Sequence, residues 1–259
     1  MSKPDISVII ATYNRKDLLL KLIKRVRLQE KVKAEIIVAD DGSKNPEIFE
    51  GLVDWYLWKK DEGNTKVEML RAAIRVARCE KIVFLDDDAI PQSSLWLYSH
   101  YEGLDTSRVT KGAVYTFKVD EKTGEYLFQY PVEDGVNGKI WTAINMGFYK
   151  EDLIKLDAFD MIYNGNYAVE DTDLINTFLW HGYKIKFLDP NISQVHHIGK
   201  LYNMNEKGQI LDKHKVNYEK FLKKWGDKLD LINNNMIFVD NYLFLVDPKT
   251  MEKLKGLKQ

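Results

Sequence analysis

Three consecutive aspartates, Asp86, Asp87 and Asp88, follow directly on a short apolar run, Lys81–Leu85 (KIVFL). A run of this kind predicts a strand that is buried on both faces of a sheet. Adjacent carboxylates repel one another, so a fold that keeps them together needs a compensating cation or open solvent. At the end of a buried strand they favour a hard oxygen site for Mg²⁺ or Mn²⁺, with a solvated acidic turn as the alternative.

Similar apolar runs alternate with helical patterns in the first half of the chain. Ile6–Ala11 and Glu35–Asp40 predict two more buried strands, and Val53–Trp58 predicts a third. Apolar residues recur at helical spacing over 18–26 and Lys66–Arg78. This order predicts an α/β fold with a mostly parallel central sheet and helices on both faces. Ligands bind such sheets beyond the carboxyl ends of the strands.

The second half of the chain has a more mixed pattern. Further strands are predicted over Val109–Val119, Ile140–Tyr149 and Tyr183–Leu188. Asp171–Trp180 predicts a helix that stops at Gly182. From about residue 200 the chain is richer in lysine and asparagine. We therefore expect one main domain over 1–200 and a C-terminal extension, 201–259, packed on it.

Composition limits the classes of partner and compartment. The formal net charge of the 259 residues is -1, so no attraction to nucleic acid is expected. The single cysteine, Cys79, allows no disulfide within the chain. No apolar signal region opens the sequence, and no stretch approaches the roughly 20 apolar residues that span a bilayer. We expect a soluble, cytoplasmic protein.

Polar side chains stand at the ends of all three of the clearest strands. Tyr13, Asn14 and Arg15 follow the first, and Asp40 and Asp41 end the second. Asp-Asp-Gly-Ser is also a common turn sequence. Its carboxylates are equally suited to accept hydrogen bonds from a ribose or a nucleobase. Together with the aspartate triplet, the pattern favours nucleotide recognition.

Five segments, taken in order, resemble those of family 2 glycosyltransferases. They are Ile6–Arg15 (ISVIIATYNR), Glu35–Ser43 (EIIVADDGS), Lys81–Asp88 (KIVFLDDD), Glu170–Leu174 (EDTDL) and Val195–Gly199 (VHHIG). The resemblance implies a GT-A fold. It also implies transfer of a sugar from a nucleoside diphosphate to an acceptor hydroxyl, commonly with inversion and a divalent cation. By the same resemblance, about 1–105 is the nucleotide-binding half and about 106–200 the acceptor half.

The resemblance also assigns the donor site. The nucleotide-binding candidates are Ala11, Tyr13, Arg15, Asp40, Asp41, Lys66, Asp86 and Asp87. Tyr13 would stack on the base, and Asp41 would contact it. The family's usual basic residue before the Asp-x-Asp strand is displaced here, which leaves Lys66 or Arg71 as its substitute. A uridine diphosphate donor is the family's usual choice.

Metal ligands and catalytic groups follow from the same motifs. Asp86 and Asp88 match the outer carboxylates of the Asp-x-Asp motif, and one of His196 and His197 supplies a further metal ligand, with His196 preferred. Mn²⁺ or Mg²⁺ is the implied cofactor. Asp171 matches the general base, and Glu170 helps to position it or the acceptor. A helix cap is the alternative role for Asp171.

Other functions remain open on the sequence alone. A nucleotidyltransferase-like protein would carry a glycine-rich loop after the first strand, and none is present here. A glycoside hydrolase would use two carboxylates without a nucleotide. A third alternative binds nucleotide sugars without transfer. The acceptor is expected to be a glycan, a lipid-linked sugar or a small molecule.

A lysine-rich segment near the end of the chain has two readings. Lys249, Lys253, Lys255 and Lys258 are candidates for contact with an anionic membrane surface. A solvated tail is the alternative.

Overall fold

The computed structural model describes residues 3–44, 51–119, 126–133, 142–198 and 212–246. The strands are β1 (Ile6–Thr12), β2 (Ala34–Asp40), β3 (Trp55–Trp58), β4 (Lys81–Asp86), β5 (Ala89–Pro91), β6 (Val109–Lys111), β7 (Val114–Val119), β8 (Tyr126–Glu133), β9 (Met146–Tyr149), β10 (Ile185–Phe187), β11 (Val195–Ile198), β12 (Met236–Val239) and β13 (Tyr242–Leu245). The helices are α1 (Lys16–Arg27), α2 (Lys66–Val76), α3 (Trp96–Thr106), α4 (Lys150–Lys155), α5 (Glu170–Trp180), α6 (Pro190–Ser193) and α7 (Asp212–Asn235), with a 3₁₀ turn at Met161–Tyr163.

The main sheet has nine strands in the order β12-β13-β10-β6-β9-β4-β1-β2-β3. Strands β4, β1, β2 and β3 run parallel, and β9 is antiparallel to both β4 and β6. Every residue of β1 and β2 is buried, which explains why these segments are apolar without alternation. The predicted α/β fold with a mostly parallel central sheet is confirmed.

Side chains of β1 point alternately to two apolar layers. Ile9 packs on the side of α2, α5 and α7, while Val8 and Ile10 pack on the side of α1 and α3. The helical residues that face the sheet recur at three- and four-residue spacing, as in α1, where Leu19, Leu22, Ile23 and Val26 are buried. Helices therefore cover both faces of the sheet in the described part of the chain, which leaves the strand ends as one place where a ligand can enter.

A second, four-stranded sheet has the order β5-β11-β7-β8. The sequence predicts one strand over Val109–Val119, and this is wrong, because the chain divides at Gly112 between β6 in the main sheet and β7 in the second. A Cβ on Gly112 would lie 2.4 Å from Asn145 Nδ2. That amide donates to the carbonyls of Ala113 and Ser193, both at 2.8 Å. The close packing at Gly112 fixes where the chain crosses between the sheets.

The described part of the C-terminal segment continues the main sheet. β13 pairs antiparallel with β10, and Phe221, Trp225 and Ile232 join the same apolar layer as Ile9. Trp225 Nε1 donates to Asp173 Oδ1 at 2.6 Å. The division at residue 200 stays a prediction, and the four tail lysines lie outside the described residues. No helix in the described ranges is both long and apolar enough to cross a membrane.

If α7 is an integral part of the core, Trp225→Ala will lower the free energy of unfolding by about 3–5 kcal/mol, because it leaves a cavity under the helix. The matched control is Leu222→Ala on the same helix, where the side chain is 40% exposed. That variant should change stability by about 0.5 kcal/mol or less. Urea denaturation measures both, and equal midpoints for the two variants would show that α7 packs only loosely.

Candidate active site

The carboxyl ends of β1, β2 and β4 open into one cleft of about 280 Å³. Its lining residues are Ala11, Thr12, Tyr13, Arg15, Ala39, Asp41, Asn64, Lys66, Asp86, Asp87, Tyr167 and Glu170. A larger crevice, about 370 Å³, lies between α5 and α7. Its buried carboxylate, Asp173, is already paired with Lys224. We therefore place the chemistry at the strand ends, where unlike charges converge around open space.

The aspartate triplet is held by cations rather than by solvent. Asp87 and Asp88 are 3% and 4% exposed, which excludes the solvated-turn alternative. Arg15 Nη1 lies 3.2 Å from Asp87 Oδ1 and also contacts Asp88 Oδ2. Asp87 accepts a further hydrogen bond from Thr12 Oγ1 at 2.7 Å. Arg15 and Thr12 both come from the end of β1, so one strand end neutralises the end of its neighbour.

Burial and partners move the two inner carboxylates in opposite directions. Burial, with the adjacent Asp88 charge, raises the pKa of Asp87 to about 7 against the opposing effect of Thr12 and Arg15. Burial also opposes ionisation of Asp88, but His197 and Arg15 outweigh it and hold the pKa of Asp88 below its ordinary value. Asp88 is thus the carboxylate of this pair that stays charged near neutral pH.

His197, and not His196, lies against the triplet. His197 Nε2 is 3.2 Å from Asp88 Oδ1, and the imidazole is buried. His196 stacks on Phe117 instead, with ring centroids 4.1 Å apart. Successive side chains of a strand point to opposite faces, so β11 can present only one of the two histidines to the triplet. The preference for His196 does not fit this geometry.

A divalent cation fits the pair formed by Asp88 and His197. Asp88 Oδ1 is buried without a hydrogen-bond partner, because its contact with His197 lacks hydrogen-bond geometry. Carboxylate oxygen and imidazole nitrogen are both ligands for Mn²⁺. Within the described ranges no group of three or more His, Cys, Asp or Glu side chains converges on one point. A cation here would take its remaining ligands from phosphate and water.

Lys66 joins two carboxylates on the other side of the cleft. Its Nζ lies 3.3 Å from Asp86 Oδ1 and 3.4 Å from Glu170 Oε1. Burial lowers the pKa of Lys66, but Asp86, Asp171 and Glu170 outweigh it and raise the pKa well above its ordinary value. Arg71, the other basic candidate, donates instead to the carbonyls of residues 157–159. The structure therefore brings Lys66 to the cleft and leaves Arg71 outside it.

Asp171 lies beside this group on the first turn of α5. Burial raises the pKa of Asp171 to about 7; Lys66 opposes this shift, while Glu170 and Asp86 add to it. Its carboxylate accepts from the backbone N–H of Ala143, outside its own helix. Ala168 and Val169, just before α5, have φ values of 75° and 67°. Left-handed backbone is unusual for a β-branched residue, and such strain clusters at functional sites.

Asp40 and Asp41, at the end of β2, have different surroundings. Asp41 lines the cleft and accepts from the backbone N–H of Thr65 at 2.8 Å. Asp40 is 1% exposed and accepts from Tyr56 and from the Ser43 N–H, so the structure does not bring it to the cleft. Tyr13 is 38% exposed, and its hydroxyl donates to Asp61 at 2.9 Å.

Four lining residues are absent from the sequence-based set: Thr12, Ala39, Asn64 and Tyr167. Thr12 stands inside the first motif, so its position beside Tyr13 was a usable signal. Asn64 and Tyr167 lie in connections without periodicity, where nothing in the sequence shows which way a side chain points. The other lining residues belong to the predicted set: Ala11, Tyr13, Arg15, Asp41, Lys66, Asp86, Asp87 and Glu170.

The fold is similar to that of solved GT-A glycosyltransferases. GalNAc-T7 with UDP, GalNAc and Mn²⁺ superposes with a TM-score of 0.64 at 17% identity, covering 90% of this chain and 50% of that one. Staphylococcus aureus TarS 1–349 with UDP-GlcNAc gives a TM-score of 0.63 at 14% identity, covering 87% and 68%. A second S. aureus TarS structure gives 0.59 at 13%, covering 89% and 45%. The chain spans about half the length of the GalNAc-T7 chain.

These likenesses define the fold as GT-A. At the level of sequence, the model of the family described as Glycosyl transferase family 2 matches residues 7–165. No curated protein matches the chain. Because the family match covers more than half of the chain, the protein belongs to glycosyl transferase family 2, and the predicted resemblance is confirmed.

Lys66→Met should destabilise the protein more at pH 8 than at pH 5. Without the ammonium group, Asp86, Glu170 and Asp171 repel one another, and the folded-state pKa of Asp171, already raised by burial, loses the opposing effect of Lys66 and rises further above its unfolded value. That penalty is full at high pH and disappears as the carboxylates are protonated. At pH 8 we expect a loss of about 2 kcal/mol, less than the 3–5 kcal/mol of a fully buried pair, because Lys66 is partly exposed.

Urea denaturation at the two pH values tests this expectation. Lys59→Met is the matched control, since Lys59 pairs with Glu62 and Glu68 on the surface. It should leave stability almost unchanged at either pH. A deficit for Lys66→Met that is equal at pH 5 and pH 8 would contradict the arrangement described above.

Proposed function

We propose that the protein is a metal-dependent glycosyltransferase that moves a sugar from a nucleoside diphosphate, UDP in particular, to an acceptor hydroxyl with inversion. One observation carries the proposal. A single cleft brings together Asp41 at one end, Asp86 and Lys66 at the middle, and Glu170 with Asp171 beside it. These groups come from distant parts of the chain and match the parts that such a reaction needs.

The nucleoside is placed at the end of the cleft formed by β1 and β2. The ring of Tyr13 is exposed enough to stack on a base, and Asp41 is positioned to accept a base N–H. Support for uridine comes from the neighbours, since GalNAc-T7 was solved with UDP and TarS 1–349 with UDP-GlcNAc. Asp86, which reaches the cleft beside Lys66, is placed to contact the ribose.

The diphosphate is placed over the aspartate triplet. Asp88 and His197 would hold a divalent cation, Mn²⁺ or Mg²⁺, which when bound neutralises the charge of the leaving diphosphate. Arg15 now balances Asp87 and Asp88, and its side chain is half exposed. Arg15 also lines the cleft, so its guanidinium would add positive charge on the side of the diphosphate. Asp87 remains fixed by Thr12.

Asp171 acts as the general base in this proposal. A carboxylate with a pKa near 7 accepts a hydroxyl proton far better than an ordinary aspartate, while about half of it remains ionised at neutral pH. The pairing of Glu170 with Lys66 holds the acceptor side of the cleft. Attack from the side of Asp171, opposite to the leaving diphosphate, inverts the anomeric centre. The acceptor is a glycan, a lipid-linked sugar or a small molecule.

A protein that binds nucleotide sugars without transferring them is the second candidate. It has no use for a proton acceptor tuned close to neutral pH. The raised pKa of Asp171 therefore favours transfer over binding alone.

Asp171→Asn should lower transfer, or slow hydrolysis of UDP-sugars, by at least about 100-fold, because the amide cannot accept the proton. The dissociation constant of UDP should change by less than about twofold, since Asp171 is placed at the acceptor end. Asp157→Asn, at a largely exposed carboxylate, is the control. Turnover of Asp171→Asn close to that of the unmodified protein would rule out the base role.

The two adjacent histidines provide an internal control for the cation site. His197→Ala should weaken the Mn²⁺-dependent part of UDP binding by at least about tenfold, as is usual when a metal site loses a supporting group. His196→Ala should leave it unchanged, because that ring faces Phe117. Calorimetric titration of UDP with and without Mn²⁺ distinguishes them. A loss with His196→Ala and none with His197→Ala would show that the cation site uses His196 and not His197.

A further inference from the structure

Three buried polar atoms lack a hydrogen-bond partner in the described structure, and they form one row that runs across two strands of the second sheet to the residue that precedes β5. They are Asp88 Oδ1, Thr116 Oγ1 and His197 Nδ1. His197 in β11 is paired with Ala89 of β5 on one side and with Thr116 of β7 on the other. Asp88 immediately precedes Ala89. The three residues come from separate parts of the chain and meet only through this sheet.

Such a row is unusual, because buried polar atoms are nearly always paired. Asp88, Thr116 and His197 are 4%, 2% and 4% exposed, so water from the bulk does not satisfy them. Asp88 Oδ1 keeps an ion-pair contact with His197 Nε2 at 3.2 Å, whereas Thr116 Oγ1 and His197 Nδ1, on paired residues, both lack a partner among the described residues. Two of the three atoms belong to the pair assigned above to the divalent cation, whereas Thr116 has no role in that assignment.

The state of the imidazole ring connects Thr116 to the cation. His197 Nε2 faces Asp88 Oδ1 at 3.2 Å, so Nε2 is the nitrogen on the cation side. A histidine that binds a metal through Nε2 is deprotonated there and carries its proton on Nδ1. That Nδ1–H needs an acceptor, and metal-bound histidines almost always have one. Within the described residues Nδ1 has none.

The pairing of β11 with β7 puts Thr116 beside His197, where it could accept the Nδ1–H. Paired residues on neighbouring strands point to the same face, with the strands about 4.8 Å apart. Both side chains are buried on that face. Oγ1 of Thr116 and Nδ1 of His197 are not bonded to each other in the described structure, and at the spacing of neighbouring strands one bridging water or a small turn of the ring would join them.

We propose that Thr116 is a positioning residue of the cation site: its hydroxyl oxygen accepts the Nδ1–H of His197, directly or through one water, when Nε2 binds the divalent cation. The inference rests on the proposed cation site at Asp88 and His197. Thr116 itself does not touch the cation. It fixes the tautomer and the orientation of the His197 ring. When no cation is bound and the ring is neutral, Nδ1 carries no proton for the Thr116 hydroxyl to accept, because Nε2 faces the Asp88 carboxylate.

The experiment compares Thr116→Val, Thr116→Ser and a control, Thr110→Val, with the unmodified protein. Valine has the shape of threonine without the hydroxyl, and serine keeps the hydroxyl. Thr110 is also fully buried, but its Oγ1 lies 2.9 Å from His100 Nδ1, away from the row. The measurements are the urea midpoint without metal, and the dissociation constant of UDP with and without Mn²⁺. A third is the ¹⁵N spectrum of the histidine rings with Mg²⁺ and UDP.

Thr116→Val should raise the urea midpoint of the metal-free protein, because it removes an unsatisfied hydroxyl. It should weaken Mn²⁺-dependent UDP binding by about 10–100-fold. The Nδ1–H form of the His197 ring should also need a higher concentration of Mg²⁺ and UDP to appear. Thr116→Ser should restore both the binding and the spectrum. Thr110→Val should lower the urea midpoint and leave the Mn²⁺ dependence unchanged.

Two negative results have different meanings. If the unmodified protein binds UDP equally with and without Mn²⁺, the proposed cation site fails, and the role of Thr116 fails with it. If the unmodified protein responds to Mn²⁺ and Thr116→Val responds equally, only the role of Thr116 is overturned. The same holds if serine fails to rescue a loss seen with valine, since the effect would then come from packing and not from the hydroxyl.

Discussion

The site depends on compensating the charge of carboxylates that are packed at the ends of buried strands. Asp87 and Asp88 have almost no contact with solvent, so their repulsion has to be met by protein groups. Arg15 meets it from the end of β1 and His197 from the second sheet, while Lys66 does the same for Asp86 and Glu170. Through these pairs, separate strands, a helix and the second sheet all contact the same edge of the main sheet. The position of the cleft follows from that requirement.

The elements around the donor end could be predicted because their sequence signal is local. An uninterrupted apolar run identifies β1, β2 and β4, and the first polar residue after each run marks the open edge of the sheet. Asp86 follows from that rule without any knowledge of tertiary contacts. Tyr13 and Asp41 stand one residue beyond the first polar residue of their runs, Thr12 and Asp40, and their assignment, like that of Lys66, comes from the family resemblance.

The remaining details depend on orientation, which spacing alone does not fix. His196 and His197 differ only in which face of β11 they occupy, and that depends on the pairing of β11 with β5 and β7. Asp40 and Asp41 pose the same problem at the end of β2, where the inner residue is bound by Tyr56 and the turn. The division of the predicted strand at Gly112 follows from the side chain of Asn145, which is distant in sequence.

The two residues with left-handed backbone before α5 destabilise the fold locally, and they also fix the direction in which the helix starts. Ala168 and Val169 hold a backbone conformation that costs about 1–3 kcal/mol each for residues with a Cβ. Glycine at either position would relax that strain and make the chain more stable, yet it would also let the first turn of the helix swing. The local strain thus lies directly beside Glu170 and Asp171, where a rigid helix start keeps both carboxylates in one direction.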